Sequence, residues 1–572
     1  MRGLLLGVVF AGVLVAIGAS ASGSDARAET LRCGQLVSSS VSLDRNLKCT
    51  GDGLIVVADN VVIDLNGYTI SGGGSGNGIS VGEFVGGSDP RSPCINPTRA
   101  IVNGTTVENG TIKGFSVGIA IQPESKYTSL AGLNVASNTA GGIVAKTICQ
   151  PEANWYTSVT DSRVHDNGGI GIDLGDGGYQ APNPGQLITG SEVFRNAGDG
   201  IEIHGYSDTT TIDNNNVHDN GGDGITSGNS TSIITNNLVT DNGGMGINAQ
   251  NYGVFSWAPN YWIADNTVKR NGSYGILVNK YVRDGGGNVA KNNNGGADQC
   301  VDIACGQWNT TAPHCGDTLT VDTQLRRDLV CLGPGTALTL AEGVALDLNG
   351  HTIQGPGPSG SDPLASVGIQ ADIYNLVEGG TVSGFDSGVF VDGPVVTLRG
   401  LTISGNQSGI YDTGGQDGTM SVITESQIVA NDGDGILAAA GGAAQFSQFL
   451  AKITDNTIDH NGGNGINVTL FSNFATISGN STSWNGGDGI RLSNADATVS
   501  GNTASDNGKD GIEIRLYQPA GASDQYTLTG NLADTNASLG IDNESGLAVD
   551  GGGNSASGNG NPLECLNVLC AP

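Results

Sequence analysis

The sequence is poor in basic residues: Lys and Arg total 24 against 55 Asp and Glu, a net charge of −31 over 572 residues. A surface this negative is repelled by phosphate, which argues against nucleic acid and anionic membranes as partners. Aromatic residues make up only 5% of the chain. Beyond the N-terminus no apolar run approaches the roughly 20 residues that cross a bilayer, so no membrane span is expected. Familiar catalytic signatures are missing too: there is no His-Glu-x-x-His, no Gly-x-Ser-x-Gly and no phosphate-binding Gly-rich loop.

Glycine is abundant, at 94 residues, more than twice the usual share of about 7%. At the N-terminus Arg2 precedes an apolar run from Leu4 to Ile17, and Ala19-Ser20-Ala21 and Ala26-Arg27-Ala28 offer small-residue cleavage sites. Residues 1–28 therefore read as a signal peptide cut after Ala21 or Ala28, and the protein is expected to be secreted or periplasmic. Ten cysteines in an exported chain suggest disulfides. Cys33 and Cys49 are spaced like Cys315 and Cys331, and Cys300 and Cys305 like Cys565 and Cys570, which leaves Cys94 and Cys149 as a further pair.

The repeated cysteine spacing points to a duplication. Val62-Ile63-Asp64-Leu65-Asn66-Gly67-Tyr68-Thr69-Ile70 recurs as Ala345-Leu346-Asp347-Leu348-Asn349-Gly350-His351-Thr352-Ile353. The expected organisation is a first half at 29–305, a linker at 306–314 and a second half at 315–572. Within each half a shorter unit ends in Gly-Ile, at Ile143, Ile172, Ile201, Ile225, Ile247 and Ile276 and again at Ile410, Ile436, Ile466, Ile490, Ile512 and Ile541. The four from Ile201 to Ile276 map onto Ile466 to Ile541 at a constant offset of 265.

Steps of 22 to 30 residues, built from short β-type runs and Gly/Asn turns, exclude helices and suit the coils of a parallel solenoid. The fold class expected is all-β, a right-handed parallel β-helix, tandemly duplicated. Each coil buries its Val and Ile, stacks about 4.8 Å from the next, and turns where Asn or Gly adopts a left-handed conformation. Asn167, Asn196, Asn220, Asn242 and Asn271 would form a hydrogen-bonded ladder. At roughly 20 to 24 coils a single rod would be about 100 Å long. A calcium roll built from tandem nonapeptides does not fit, because the glycine-rich unit that closes on Gly-Ile, as in Gly221-Gly222-Asp223-Gly224-Ile225, occurs once per coil.

These residues resemble those of right-handed parallel β-helix repeat proteins, the superfamily that includes pectate lyases, polygalacturonases and alginate epimerases. The resemblance implies a polysaccharide lying along a groove on one parallel sheet, with uronate chemistry. The Asp-Pro-His-Glu segment of mannuronan epimerases and the Asn-Thr-Asp, Asp-Asp and Arg-Ile-Lys set of polygalacturonases do not occur here.

Alternation along a strand that starts Gly-Ile turns the residue after Ile outward. The first-half column is then Asp173, Glu202, Thr226, Asn248 and Leu277. Glu202, His204 and Tyr206 share one exposed face, where His and Tyr could act as base and acid beside a uronate carboxylate. Lys280 and Arg283 would neutralise that carboxylate, and Asp173 with Glu202 could hold calcium, although no cofactor is required. Tyr252, Trp257 and Trp262 offer a sugar-stacking platform, and Arg491 and Arg515 in the second half suit carboxylate recognition. Two functions follow: binding of an acidic polysaccharide with lyase- or epimerase-type modification, or a noncatalytic surface or matrix protein that binds glycan or protein along its length.

Overall fold

Val and Ile recur once per strand because each short strand has one face to bury. In the computed structural model, which describes residues 31–85, 98–122, 125–145, 156–174, 186–204, 210–228, 232–250, 261–278, 282–294, 299–360, 362–393, 395–413, 420–439, 450–469, 475–493, 496–515, 526–544, 546 and 548–571, every regular element is a strand. The Gly-Ile isoleucines pair with one another in parallel, Ile201 with Ile225, Ile225 with Ile247 and Ile247 with Ile276, all fully buried. Each half carries an 11-stranded sheet, from Gln35–Val37 to Cys300–Val301 and from Asp317–Leu319 to Cys565–Leu566. Another 18 strands per half form the remaining faces of the coils. The exception to parallel pairing is a hairpin between Glu83–Val85 and Thr98–Ala100. The architecture is the expected duplicated, all-parallel solenoid.

The two halves are separate stacks rather than one continuous rod. Among the described residues, Cys300–Val301 pairs only with Ile276–Val278, and Asp317–Leu319 only with Gly335–Leu340, so no backbone ladder there crosses the linker. Two cores result, one from Leu31 to Cys305 and one from Leu319 to Ala556. Eleven coils each make two stacks about 50 Å long at the usual strand spacing. A small third cluster of Ala304, Ala345 and Leu376, with Trp308 against it, joins them. Arg399 of the second half reaches across to Asp265 (2.9 Å) and to the Gly285 carbonyl (3.1 Å).

The asparagine ladder is present. Asn167, Asn196, Asn220 and Asn242 each donate Nδ2 to the Oδ1 of the next asparagine along, at 2.8 to 3.0 Å, ending through Asn271 and Asn293 on Gln299. The second half repeats it from Asn406 to Asn559, ending on Glu564. These amides are buried, and each also donates to a backbone carbonyl, as Asn220 does to Val193. One expectation is corrected here. The left-handed residue of this turn is the one before the ladder asparagine: Asp166, Arg195, Asp219, Asp241 and Arg270, then His460, Trp484, Asp506 and Thr535. The asparagine is held by its side chain, and the strain falls on its exposed neighbour.

Glycine before each isoleucine has a steric cause. A Cβ at Gly224 would collide with Val239, the Gly246 carbonyl and the Asn242 amide of the next coil. Disulfides Cys33–Cys49, Cys315–Cys331, Cys300–Cys305 and Cys565–Cys570 close the first and last coils of both halves. The Cys94 and Cys149 pairing and the signal segment 1–28 lie outside the described residues.

Candidate functional site

The aspartate of Gly-Gly-Asp-Gly-Ile is a second ladder. Its Oδ1 accepts the backbone N–H of the equivalent residue one coil on: Asp223 N–H to Asp199 (2.8 Å), Met245 to Asp223 (2.6 Å), Asp510 to Asp488 (3.0 Å) and Leu539 to Asp510 (2.7 Å). Its Oδ2 accepts from the outward residue of that next coil. Thr226 donates to Asp199 (2.7 Å), Asn248 to Asp223 (3.0 Å) and Asn467 to Asp434 (2.7 Å). The scaffold therefore asks for a hydrogen-bond donor at that outward position, and a neutral hydroxyl or amide suffices.

At the corresponding place opposite Asp488 the residue is Glu513, which pairs in register with Arg491 and Asp542. An ionised glutamate has nothing to donate. Asp488 Oδ2 is buried with no hydrogen-bond donor, and the Glu513 carboxyl stands within 4.8 Å of the Asp488 carboxyl, so Glu513 can fill the role of Asn248 only when it carries a proton. Burial, then the Asp488 charge, push the Glu513 carboxyl up to about 7, against the pull of Arg515 and Arg491. Arg491 Nε lies 3.2 Å and Arg515 Nη2 2.5 Å from its two oxygens, while Arg515 also reaches Glu544 at 3.3 Å. Glu513 is 1% exposed, and the guanidinia are its route to the surface. Burial likewise raises Asp542, which faces Asp510.

The duplication supplies an internal control. At the offset of 265, Thr226, Met245, Asn248, Gln250 and Leu277 correspond to Arg491, Asp510, Glu513, Arg515 and Asp542. Five uncharged residues in one half stand where the other half has five charged ones, on the same backbone. Since burying charge costs free energy and the first half folds without it, these groups are not demanded by the coil. They are the candidate site.

The carboxylate oxygens of Asp488, Asp510 and Glu513 come within 4.8 Å of one another. They do not suit calcium, which takes six to eight oxygens, because the Oδ1 atoms of both aspartates accept backbone N–H groups and two guanidinia already neutralise Glu513.

The first-half candidates are placed differently. Asp173 and Glu202 stand opposite each other on adjacent coils, in the predicted outward column with Thr226, Asn248 and Leu277. His204 ends the strand Ile201–His204 with its backbone beside Gly228. Tyr206, Tyr252, Trp257 and Lys280 lie outside the described residues. Trp262 and Arg283 are brought together, on neighbouring strands, but against the second half: Lys452 Nζ stands 5.9 Å from the Trp262 ring centroid, and Arg283 is 5% exposed. Docking of the halves removes them from an open first-half groove, a placement that coil periodicity does not encode. His165 and His218 are half-buried and stacked on Phe194 at 4.6 and 5.0 Å.

Parallel coils, internal ladders and one outward face per strand define a right-handed parallel β-helix protein. The sequence matches the family described as right handed beta helix region over residues 148–305 and 441–559. No curated protein matches it. Similar solved structures include the A-module of mannuronan C-5 epimerase AlgE4 of Azotobacter vinelandii, at 14% identity and TM-score 0.26, covering 68% of this chain and 86% of that one. The PL6 family alginate lyase AlyGC is similar at 12% identity and TM-score 0.19, covering 93% and 92%. The tailspike protein gp49 of Pseudomonas phage LKA1 stands at 11% and 0.19, covering 89% and 74%. At these identities and scores the structures carry no argument about chemistry.

Proposed function

We propose that this protein is exported, binds a uronate-bearing polysaccharide on the outward face of its 11-stranded sheets, and modifies it by lyase- or epimerase-type proton transfer. The observation that carries the reading is the charged set Arg491, Glu513 and Arg515, which replaces an uncharged set on a duplicated scaffold. Guanidinia bind carboxylates through paired hydrogen bonds, and a uronate carboxylate would compete with Glu513 for Arg491 and Arg515. Arg491 and Arg515 thus hold one unit of the polymer on the second half; on the first half a base removes the proton next to the carboxylate of another unit. Protonation of the glycosidic oxygen as the C–O bond breaks gives an unsaturated sugar; return of the proton from the other face gives the epimer. His204 and Tyr206 are proposed for these transfers, with Asp173 and Glu202 as orienting groups or calcium ligands. The disulfides support an oxidising compartment, secreted or periplasmic.

A noncatalytic surface or matrix role is the second reading, favoured by the burial of Glu513 beneath the guanidinia. The test is incubation of the mature protein with alginate, pectate and neutral polysaccharides, with and without calcium, reading double bonds, reducing ends and epimer ratio. Double bonds or altered epimer ratio on a uronate polymer, lost in His204→Ala, are expected. Retention of uronate polymers without turnover supports the second reading, and no binding to any of them overturns the first and leaves of the second only a surface that binds protein.

A further inference from the structure

The contact between the halves holds two cations that the ladders do not use. Arg283 lies on the strand Val282–Asp284, at the last turns of the first half, and is nearly buried, with its Nε lacking any hydrogen-bond partner. Among the described residues no carboxylate pairs with it; the charged or titratable group facing it from the second half, besides Lys452, is the phenol of Tyr374. Burial lowers the guanidinium to about 9. Lys452 comes from the strand Leu450–Thr454 of the second half, is exposed, and sets its Nζ over the Trp262 ring. Desolvation and then the charge of Arg283 lower its ammonium, with Asp455 the carboxylate opposing that shift.

Two like charges held together, one of them taken out of water without a counter-ion, are unfavourable in the free protein. Arg399 shows the contrast on the same contact: its guanidinium bridges Asp265, the Gly285 carbonyl and Glu425. Where this interface needs a cation for cohesion it supplies the acids. At Arg283 it supplies a second cation and an indole instead, one a charge partner for an anion and the other an apolar face for a ring.

We propose that Arg283, Lys452 and Trp262 form an anion-binding site between the halves, whose ligand is a carboxylated sugar unit, distinct from the Arg491 and Arg515 site. The anionic group sits between guanidinium and ammonium, and the sugar ring lies along Trp262. This rests on the proposed uronate specificity and adds a second contact for the same polymer.

The test is calorimetric titration of the mature protein with a uronate trisaccharide, acetate and a neutral trisaccharide. Two uronate sites per chain are expected. Lys452→Met, at an exposed position, and Arg283→Met should each weaken one of them at least tenfold and leave the other, while Arg491→Met with Arg515→Met should do the reverse. Acetate should bind this site more weakly than the trisaccharide, and the neutral sugar not at all. A thermal midpoint for Arg283→Met at or above that of the parent shows that the loss is not unfolding. Two intact sites in both Lys452→Met and Arg283→Met overturn the proposal and leave the Arg491 site standing. Neutral and uronate sugars binding equally, or acetate binding as tightly as the trisaccharide, overturns the stated ligand. No uronate site in the parent protein overturns the specificity on which it rests.

Discussion

The two halves share a backbone and part company on its surface. Residues 201–276 and 466–541 run in step, with the same asparagine column and with Asp223 and Asp488 accepting the equivalent backbone N–H, yet Asn248 in one is Glu513 in the other. The inward positions obey packing, and the outward ones are free to differ. A charged residue at a free position, opposite a neutral counterpart known to satisfy the same bond, marks what the coil itself does not require. The reverse substitution also occurs: Asp173, Glu202 and His204 correspond to Leu437, Asn467 and Thr469. Each half has charge where its copy has none.

Removing a ladder amide should hurt both halves alike. Asn220→Ala and its counterpart Asn485→Ala each lose bonds to the neighbouring coils and leave buried groups unpaired. A destabilisation of about 3 kcal/mol for each is expected in denaturant titrations; a large difference between them would break the equivalence.

The next effect separates the halves. Glu513 holds its proton up to about 7 in the folded chain against an ordinary 4.5. Between these values the unfolded chain has released a proton that the folded chain keeps, so stability falls as pH rises through this window and the deficit is complete above it. Glu513→Gln keeps the donor and removes the cost. It should gain on the order of 1–2 kcal/mol at pH 8 and nothing at pH 4, read as thermal midpoints across pH. Asn248→Glu should import the pH dependence into the first half and destabilise it at pH 8.

Smaller still is the tie between halves. Arg399→Met leaves Asp265 and Glu425 without their shared cation and should cost about 1 kcal/mol, with the two unfolding transitions moving apart in calorimetry. Least of all is the exposed pair of Arg195 with Asp166 at 2.7 Å. The guanidinium holds that carboxyl well below its ordinary range, yet solvent screens so exposed a pair, and Arg195→Ala should move the thermal midpoint least of these variants and less still in high salt.

Period, ladder, duplication and the capping disulfides were legible because each repeats, and a repeated residue answers a repeated constraint. The outward column was legible from alternation alone, and with it the positions of Glu202, Arg491 and Arg515. The donor role of Glu513 was not read, although the offset of 265 that aligned the isoleucines also aligns it with Asn248. What was missing was the knowledge that Asp223 needs a donor there, a three-dimensional fact. The fates of Arg283 and Trp262 had no signal in either half, since the docking of two solenoids depends on surfaces that no period relates. Left-handed asparagine and glycine do occur at the coil's other turn, at Gly190, Asn214 and Asn236, whereas in the ladder turn the buried column claims the asparagine and passes that conformation to whichever residue precedes it, even Trp484.

The ladders also govern how such a chain can change length. Every coil presents the same donors upward and the same acceptors downward, so a whole coil can be duplicated or lost and its neighbours will rejoin as before. The ladder asparagine keeps one distance from the isoleucine that follows it, as Asn196 from Ile201, Asn220 from Ile225 and Asn242 from Ile247, so the variation of the steps from 22 to 30 falls between one Gly-Ile strand and the next asparagine, while those isoleucines stay in register. Growth in this architecture is quantised, and the surface loops are where its history accumulates without disturbing the count.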